Sequence, residues 1–312
     1  MAQHVLQDFI GEYKGKIDAA IAAEFSNREK EVAAISTELV SIVQAMRELS
    51  VGGKRLRGLL TILGYEIAGG EKSSEIVKAA VVMELFHLGL LIQDDVMDRD
   101  TLRRGVATIH TRYTDLHIGE SVAMCAGDFT YGWGMETLAK LSAKGRSAYG
   151  GNFSNFQITQ AMAVWAKYFY RVGYGQVLDV VKVADDKTLL TILALKSGEY
   201  SCALPLQFGA ALAGADENTL QFLYDFGMEL GWVFQLRDDW LGEYGDSTKT
   251  GKPVGNDSRE GKHTYATMYG REETEMAIAE HLAKGKELLR GRTSKYGEIM
   301  GELLTWMATR ED

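Results

Sequence analysis

Ala79-Ala80-Val81-Val82-Met83-Glu84-Leu85-Phe86-His87-Leu88-Gly89-Leu90-Leu91-Ile92-Gln93-Asp94-Asp95-Val96-Met97-Asp98 is an apolar run that ends in three carboxylates. Up to Ile92 only Glu84 and His87 interrupt it. As a helix with 3.6 residues per turn, the segment is buried for most of its length. It places Asp94 and Asp98 one turn apart on one face, close enough to share a divalent cation, and rotates Asp95 away. A solvated helix end does not grow out of so apolar a run, so the carboxylates sit at the mouth of something buried. Ligation by oxygen alone favours magnesium or manganese over zinc, and magnesium shares its remaining positions with water and substrate phosphates.

Basic segments stand beside the acidic ones. Arg103-Arg104-Gly105 follows within a few turns, and guanidinium forks bind phosphate oxygens bidentately without losing their charge. Roughly 140 residues later Phe234-Gln235-Leu236-Arg237-Asp238-Asp239 supplies a second acidic cluster. It leads into Gly242 to Lys262, which holds Gly245, Gly251, Gly255, Gly261 and Pro253 together with Lys249, Lys252, Arg259 and Lys262. That stretch reads as a loop whose cations close over an anionic substrate. A third basic segment, Gly52-Gly53-Lys54-Arg55-Leu56-Arg57-Gly58, offers anion-binding groups at a helix start. Two acidic clusters with cations beside them point to metal-held diphosphate chemistry.

In their order and spacing, these segments resemble the trans-type isoprenyl diphosphate synthases, the polyprenyl synthetase family, from about Gly52 to Lys262. Asp94 to Asp98 with Arg103-Arg104-Gly105 is similar to the family's first aspartate-rich motif and its arginine pair. Gly175-Gln176-Val177-Leu178-Asp179 resembles its Gly-Gln-x-x-Asp helix, and Lys196-Ser197 its Lys-Thr pair. Gln235 to Asp239, with Gly251-Lys252 and Gly261-Lys262 beyond, resembles the second aspartate-rich motif and its lid. Three positions depart from the pattern: Gly242 stands for an aspartate, Gly58 for a proline and Ser197 for threonine.

The resemblance implies an all-α, single-domain isoprenoid-synthase-type helical bundle around a central substrate cavity, spanning residues 1–312. It implies head-to-tail condensation of isopentenyl diphosphate with an allylic diphosphate. Three magnesium ions, or manganese, are assigned to Asp94, Asp95, Asp98, Asp238 and Asp239. Lys54, Arg57, His87 and Arg104 are carried over to isopentenyl diphosphate binding, Arg103, Lys196 and Lys252 to the allylic diphosphate, and Arg55, Gln235 and Lys262 to substrate binding. Lys196, Ser197, Gln235 and Gln176 act on the reacting centre, and the departing pyrophosphate takes the final proton. Phe86, Gly89 and Leu90 bound the growing chain; geranylgeranyl diphosphate is the first expectation for product, with longer chains or farnesyl as alternatives. A homodimer is expected. A terpene cyclase would lack the isopentenyl pocket, and a non-catalytic partner subunit would have lost aspartates or the arginine pair.

Composition agrees. Two prolines, at Pro205 and Pro253, leave long segments free to be helical. Ile35, Leu39, Ile42, Val43, Met46 and Leu49 recur at helical spacing, Met1 to Phe25 reads as an amphipathic helix, and no sustained two-residue alternation exists. Gly150-Gly151-Asn152 reads as an interhelical loop. Trp165, Tyr168, Phe169 and Tyr170 are expected in the core, as are the isolated Cys125 and Cys202. A net charge of −9 without a basic face argues against nucleic acid as a partner. No signal pattern and no uncharged apolar run of about 18 residues are found, so no transmembrane segment is expected and a cytoplasmic location is.

Overall fold

Apolar residues three and four apart, Leu6, Phe9, Tyr13, Ile17, Ile21 and Phe25, are all buried and define the inner face of the first helix, α1 (Val5–Ala33). The computed structural model describes residues 4–142, 153–181, 185–246, 255–259 and 263–311. Helix α2 (Thr37–Ser50) starts where the Ser36 side chain accepts a hydrogen bond from the Glu38 N–H, and it buries Ile42, Val43, Met46 and Leu49. Ile35 precedes that cap and is exposed, so the helical spacing read from it begins one turn too early.

The chain divides into two compact units. One comprises Ile10–Ile62 and Glu71–Ile158. It holds α1 beyond its first turn, α2, the start of α3 (Leu56–Ile67), α4 (Ser74–Asp98) and α5 (Leu116–Lys140). Helices α4 and α5 run together at close range because glycines line their contact. A Cβ on Gly89 would lie 2.2 Å from Thr130 Oγ1, and one on Gly134 would lie 2.5 Å from the Phe86 ring. Between these helices stands a departure from the all-helical expectation, a two-stranded antiparallel ladder of β1 (Leu102–Arg103) and β2 (Val106–Ala107). Two residues per strand are too few to leave an alternation in the sequence.

The other unit comprises Met1–Phe9, Leu63–Gly70 and Thr159–Asp312. It contains nearly all of α6 (Asn155–Val180), α7 (Asp186–Leu193), a π-helical segment (Ala194–Ala203) and α8 (Leu204–Ala213). Helix α9 (Glu217–Tyr244), α10 (Arg271–Leu288) and α11 (Lys295–Thr309) complete it, with short helices at Asn256–Arg259 and Tyr265–Tyr269. Glycine again sets the spacing: a Cβ on Gly231 would lie 2.4 Å from Gly198 Cα, and one on Gly227 2.5 Å from Ala203 Cα. Helix α9 therefore lies flush against the π-helical segment.

Several expectations change on this scaffold. The loop read from Gly242 begins later, since α9 continues through Gly242 to Tyr244. Tyr168 and Cys202 are buried as expected, whereas Tyr170 and Cys125 are exposed. The Gly150-Gly151-Asn152 loop lies outside the described residues. Among the described residues, no helix is long and apolar enough to cross a membrane.

Candidate active site

At the end of α4, Asp94 is half-buried and Asp98 exposed, while Asp95 is only 1% exposed. The inward turn of Asp95 matches its helical phase. Arg103 Nε donates to Asp95 Oδ1 at 2.6 Å, and Arg103 Nη2 lies 3.7 Å from Asp94 Oδ2. Burial pushes the Asp95 carboxyl up to about 6 against the pull of Arg103. Its Oδ2 is buried with no hydrogen-bond partner among the described residues. Asp95 is thus engaged in orienting Arg103, away from the face of Asp94 and Asp98.

Among the described residues, no group of three or more His, Cys, Asp or Glu side chains converges to hold a metal ion unaided. The donors present suit magnesium nonetheless. A pair of carboxylates one turn apart supplies hard oxygen ligands and leaves further positions for phosphate and water.

Arg103 and Arg104 sit on the small hairpin, whose turn has positive φ at both Arg104 (54°) and Gly105 (78°), the mark of a type I′ turn. A non-glycine residue held there carries strain of order 1–3 kcal/mol, a feature that clusters at functional sites. The Arg104 guanidinium covers Gly53, where a Cβ would lie 3.0 Å from Nη2, and Gly53 has a φ of 86°. The pocket beneath Arg104 has Ser50, Arg55, Glu84 and His87 in its lining. Burial, then the positive charges of Arg57, Arg104, Arg103 and Arg55, hold His87 well below the usual imidazole value, so it is neutral near pH 7. Arg55 and Arg104, from two separate sequence segments, thus share one pocket lining with this imidazole. Lys54 is exposed just ahead of α3, and Arg57 is half-buried in the first turn of that helix.

Arg55 differs from its neighbours. Its Nε donates to Asp18 Oδ1 at 2.6 Å, its Nη2 donates to the Ser50 carbonyl at 2.7 Å, and Glu84 lies 3.5 Å from Nη1. Glu84 also accepts from the Gly58 N–H at 2.8 Å, capping the first turn of α3. Burial opposes ionisation of Asp18, but hydrogen bonds from Arg55 and Lys14 outweigh it and hold the carboxyl below its ordinary value. The interruption of the apolar run at Glu84 is explained by this clamp, which sequence reasoning missed.

In the other unit, the π-helical segment carries Lys196 and Ser197. Ser197 Oγ donates to Gln235 Oε1 at 2.7 Å, Gln235 Nε2 donates to Asp239 Oδ1 at 2.9 Å, and the Tyr265 N–H donates to Asp239 Oδ2 at 2.9 Å. Asp239 is buried and, like Asp95, is engaged by the protein on both sides of this chain of hydrogen bonds. Lys196 Nζ contacts Asp179 Oδ2 at 2.5 Å, joining the Lys-Ser pair to the Gly-Gln-x-x-Asp helix. Gln176 is half-buried on that helix. Asp238 stays partly open, and the Arg310 guanidinium donates to its Oδ1 and to the Phe234 carbonyl. Arg310 is held in turn by Arg237, whose Nε donates to the Arg310 carbonyl at 2.8 Å. No motif pointed to Arg310. Lys252 and Lys262 lie outside the described residues.

Of the three positions assigned to chain length, Phe86 is fully buried, Gly89 is buried against α5, and Leu90 is half-buried. Tyr131 on α5 lies beside the first two, a neighbour that a reading of α4 alone did not supply.

A predominantly helical chain with aspartate motifs on two helices, each flanked by guanidiniums, defines an enzyme of the trans-prenyltransferase class. A family profile described as polyprenyl synthetase matches residues 40–298, and the chain belongs to that family. It is 36% identical over 229 residues to a geranylfarnesyl diphosphate synthase of Aeropyrum pernix, covering 71% of this chain and 67% of that one. It is 32% identical over 220 residues to a geranylgeranyl diphosphate synthase of Saccharolobus solfataricus, covering 69% of this chain and 61% of that one. A geranylgeranyl pyrophosphate synthase from Corynebacterium glutamicum, solved with isoprenyl diphosphate and magnesium, superposes with a TM-score of 0.83 at 25% identity, over 98% of this chain and 99% of that one.

Proposed function

We propose that the protein condenses isopentenyl diphosphate with an allylic diphosphate, head to tail, and releases geranylgeranyl diphosphate. The observation that supports this reading is that His87, two turns before the Asp94/Asp98 pair on α4, shares one pocket lining with Arg104 and lies in the field of Arg57, so that one unit provides both a metal-free anion pocket and a metal-binding edge. Geranylgeranyl or geranylfarnesyl is the product named for the relatives above. The chain is taken as a single domain over residues 1–312, located in the cytoplasm and acting as a homodimer.

Magnesium, as three ions with manganese as a substitute, would neutralise the allylic diphosphate and make it a leaving group, with Asp94, Asp98 and Asp238 as its ligands. Asp95 and Asp239 complete that acidic set, and each is held by the protein, Asp95 by Arg103 and Asp239 by Gln235 and the Tyr265 N–H. Arg103, Lys196, Lys252 and Lys262 bind the oxygens of the allylic diphosphate. Lys54, Arg57, His87 and Arg104 bind isopentenyl diphosphate, and Arg55 acts behind them by fixing the start of α3. The Ser197 and Gln235 oxygens, with Gln176, turn negative dipoles to the allylic cation. The pyrophosphate released takes the final proton, so no side-chain base is assigned.

The test is incubation with isopentenyl diphosphate, magnesium and each allylic primer in turn, followed by chromatography of the dephosphorylated alcohols. A twenty-carbon product is expected. Asp94→Ala and Asp238→Ala should each lower turnover by orders of magnitude while the circular dichroism spectrum is unchanged. Near-normal turnover in either folded variant refutes the metal assignment.

A further inference from the structure

We propose that Arg310 is a positioning residue for Asp238, fixing one carboxylate oxygen of that side chain so that the other is presented to magnesium. The inference rests on the reading above in which Asp238 is a magnesium ligand. Arg310 follows the last turn of α11, and its backbone N–H donates to the Trp306 carbonyl at 2.9 Å. It is only 7% exposed, and arginine is buried to that degree when it is paired. Its contacts run along one turn of α9. The guanidinium lies over the Phe234 ring, 4.9 Å from the centroid, and Nη2 donates both to the Phe234 carbonyl at 3.2 Å and to Asp238 Oδ1. From the same turn, Arg237 Nε donates to the Arg310 carbonyl at 2.8 Å. Backbone and side chain of Arg310 are both fastened to α9, so its guanidinium is not a surface group that has swung onto a nearby carboxylate.

The two neighbouring aspartates of this motif are held in different ways. Asp239 is buried, and its oxygens accept from Gln235 and from the Tyr265 N–H. The Asp238 side chain remains 39% exposed with Oδ1 engaged, so it keeps an open side for a cation. Two effects of the guanidinium on that cation oppose each other. Its charge repels a second cation beside the same carboxylate, whereas its hydrogen bond removes rotational freedom that the carboxylate would otherwise lose on binding metal. Diphosphate bound with the metal offsets the repulsion. Loss of a hydrogen-bond partner behind a metal ligand weakens metal binding by about 10- to 100-fold in metal sites generally, so the second effect prevails.

Arg310→Met, which keeps an apolar stem over Phe234 and removes the donors, tests the proposal beside Arg310→Lys, which keeps a charged donor. Manganese binding is followed by electron paramagnetic resonance with inorganic pyrophosphate present, and magnesium activation by turnover. Arg310→Met should weaken manganese binding about 10-fold and raise the magnesium concentration for half-maximal turnover by a similar factor, with turnover at saturating magnesium within about threefold of the unmodified protein. Arg310→Lys should fall between the two. Unchanged metal binding in a folded Arg310→Met protein overturns the proposal, as does a loss of turnover at saturating magnesium with an unchanged half-maximal concentration, which marks a role in the fold alone. Should Arg310→Met not fold, as judged by circular dichroism melting, Arg310→Gln is read by the same criteria. Asp238→Ala separates the two readings. Weaker manganese binding in that variant, with none of these effects at Arg310, overturns this inference alone; manganese binding unchanged by Asp238→Ala overturns the assignment of Asp238 as a metal ligand, and this inference with it.

Discussion

Burial, together with the field of Arg57, Arg104, Arg103 and Arg55, keeps the His87 imidazole neutral. The consequence for stability has a definite sign. In the unfolded chain the ring titrates near 6.5, while in the folded chain its value lies well below that. As pH falls through 6.5, the unfolded state takes up a proton that the folded state refuses, so stability drops, by up to about 1.4 kcal/mol per pH unit. Above 6.5 both states are neutral and the effect vanishes. Asp95 works in the opposite direction, because its raised value lets the folded state bind a proton first as pH falls below about 6. Comparing ligand-free wild type with His87→Gln cancels that contribution. Melting temperatures from pH 7.5 to 5 should fall more steeply for wild type than for His87→Gln, and parallel curves would show that the ring is not held neutral. At this scale the sequence named the charged residues but not their partners. Asp18 and Glu84, which tie down Arg55, are ordinary acidic residues until α1, α3 and α4 are packed. The same packing gives Gly89 its meaning, since a phenylalanine there would collide with α5 before it reached a growing chain.

At the scale of elements, the contact of α9 with the π-helical segment sets the geometry of the second acidic motif. Gly231 faces the backbone of Ser197 and Gly198, with 2.4 Å from its would-be Cβ to Gly198 Cα. Gly231→Ala should therefore push the two elements apart, destabilise the fold by about 1–3 kcal/mol in urea unfolding, and lower turnover by separating Ser197 from Gln235. Gly15→Ala, on an open face of α1 with nothing within 4 Å, should instead stabilise by roughly 0.5–1 kcal/mol. Equal effects of the two substitutions would mean that helix propensity, not close approach, governs Gly231. Helices with one apolar stripe, such as α1 and α2, were legible from residue spacing. The π-helical stretch was not, because a widened turn leaves no periodic trace in Ala194–Ala203. Nor was the true end of α9. Gly242 costs only about 1 kcal/mol in a helix, too little to break one that tertiary packing supports.

At the scale of the whole molecule, the motifs alone announced the chemistry, while the surface of α6 bears on assembly. Expected in the core, Tyr170 proves exposed and stands with Tyr174 in a tilted ring pair 5.5 Å apart. Tyr174 is 58% exposed and Val177 62%, and Val181 continues the row at helical spacing. Phe156, at the other end of α6, is exposed as well. A row of large apolar side chains along one helix marks an interaction surface, and a twofold-symmetric contact between identical chains buries the same row on both sides. Its composition was visible in the sequence, but its outward direction was not, because an apolar stripe reads equally as core or interface. If this row joins two copies, Tyr174→Glu combined with Val177→Glu places buried, like, unpaired charges in the contact. Sedimentation velocity should then give the mass of one chain for the double variant and of two for the unmodified protein, with identical circular dichroism spectra. A one-chain mass for the unmodified protein would remove the homodimer, and a two-chain mass for the double variant would move the contact off α6.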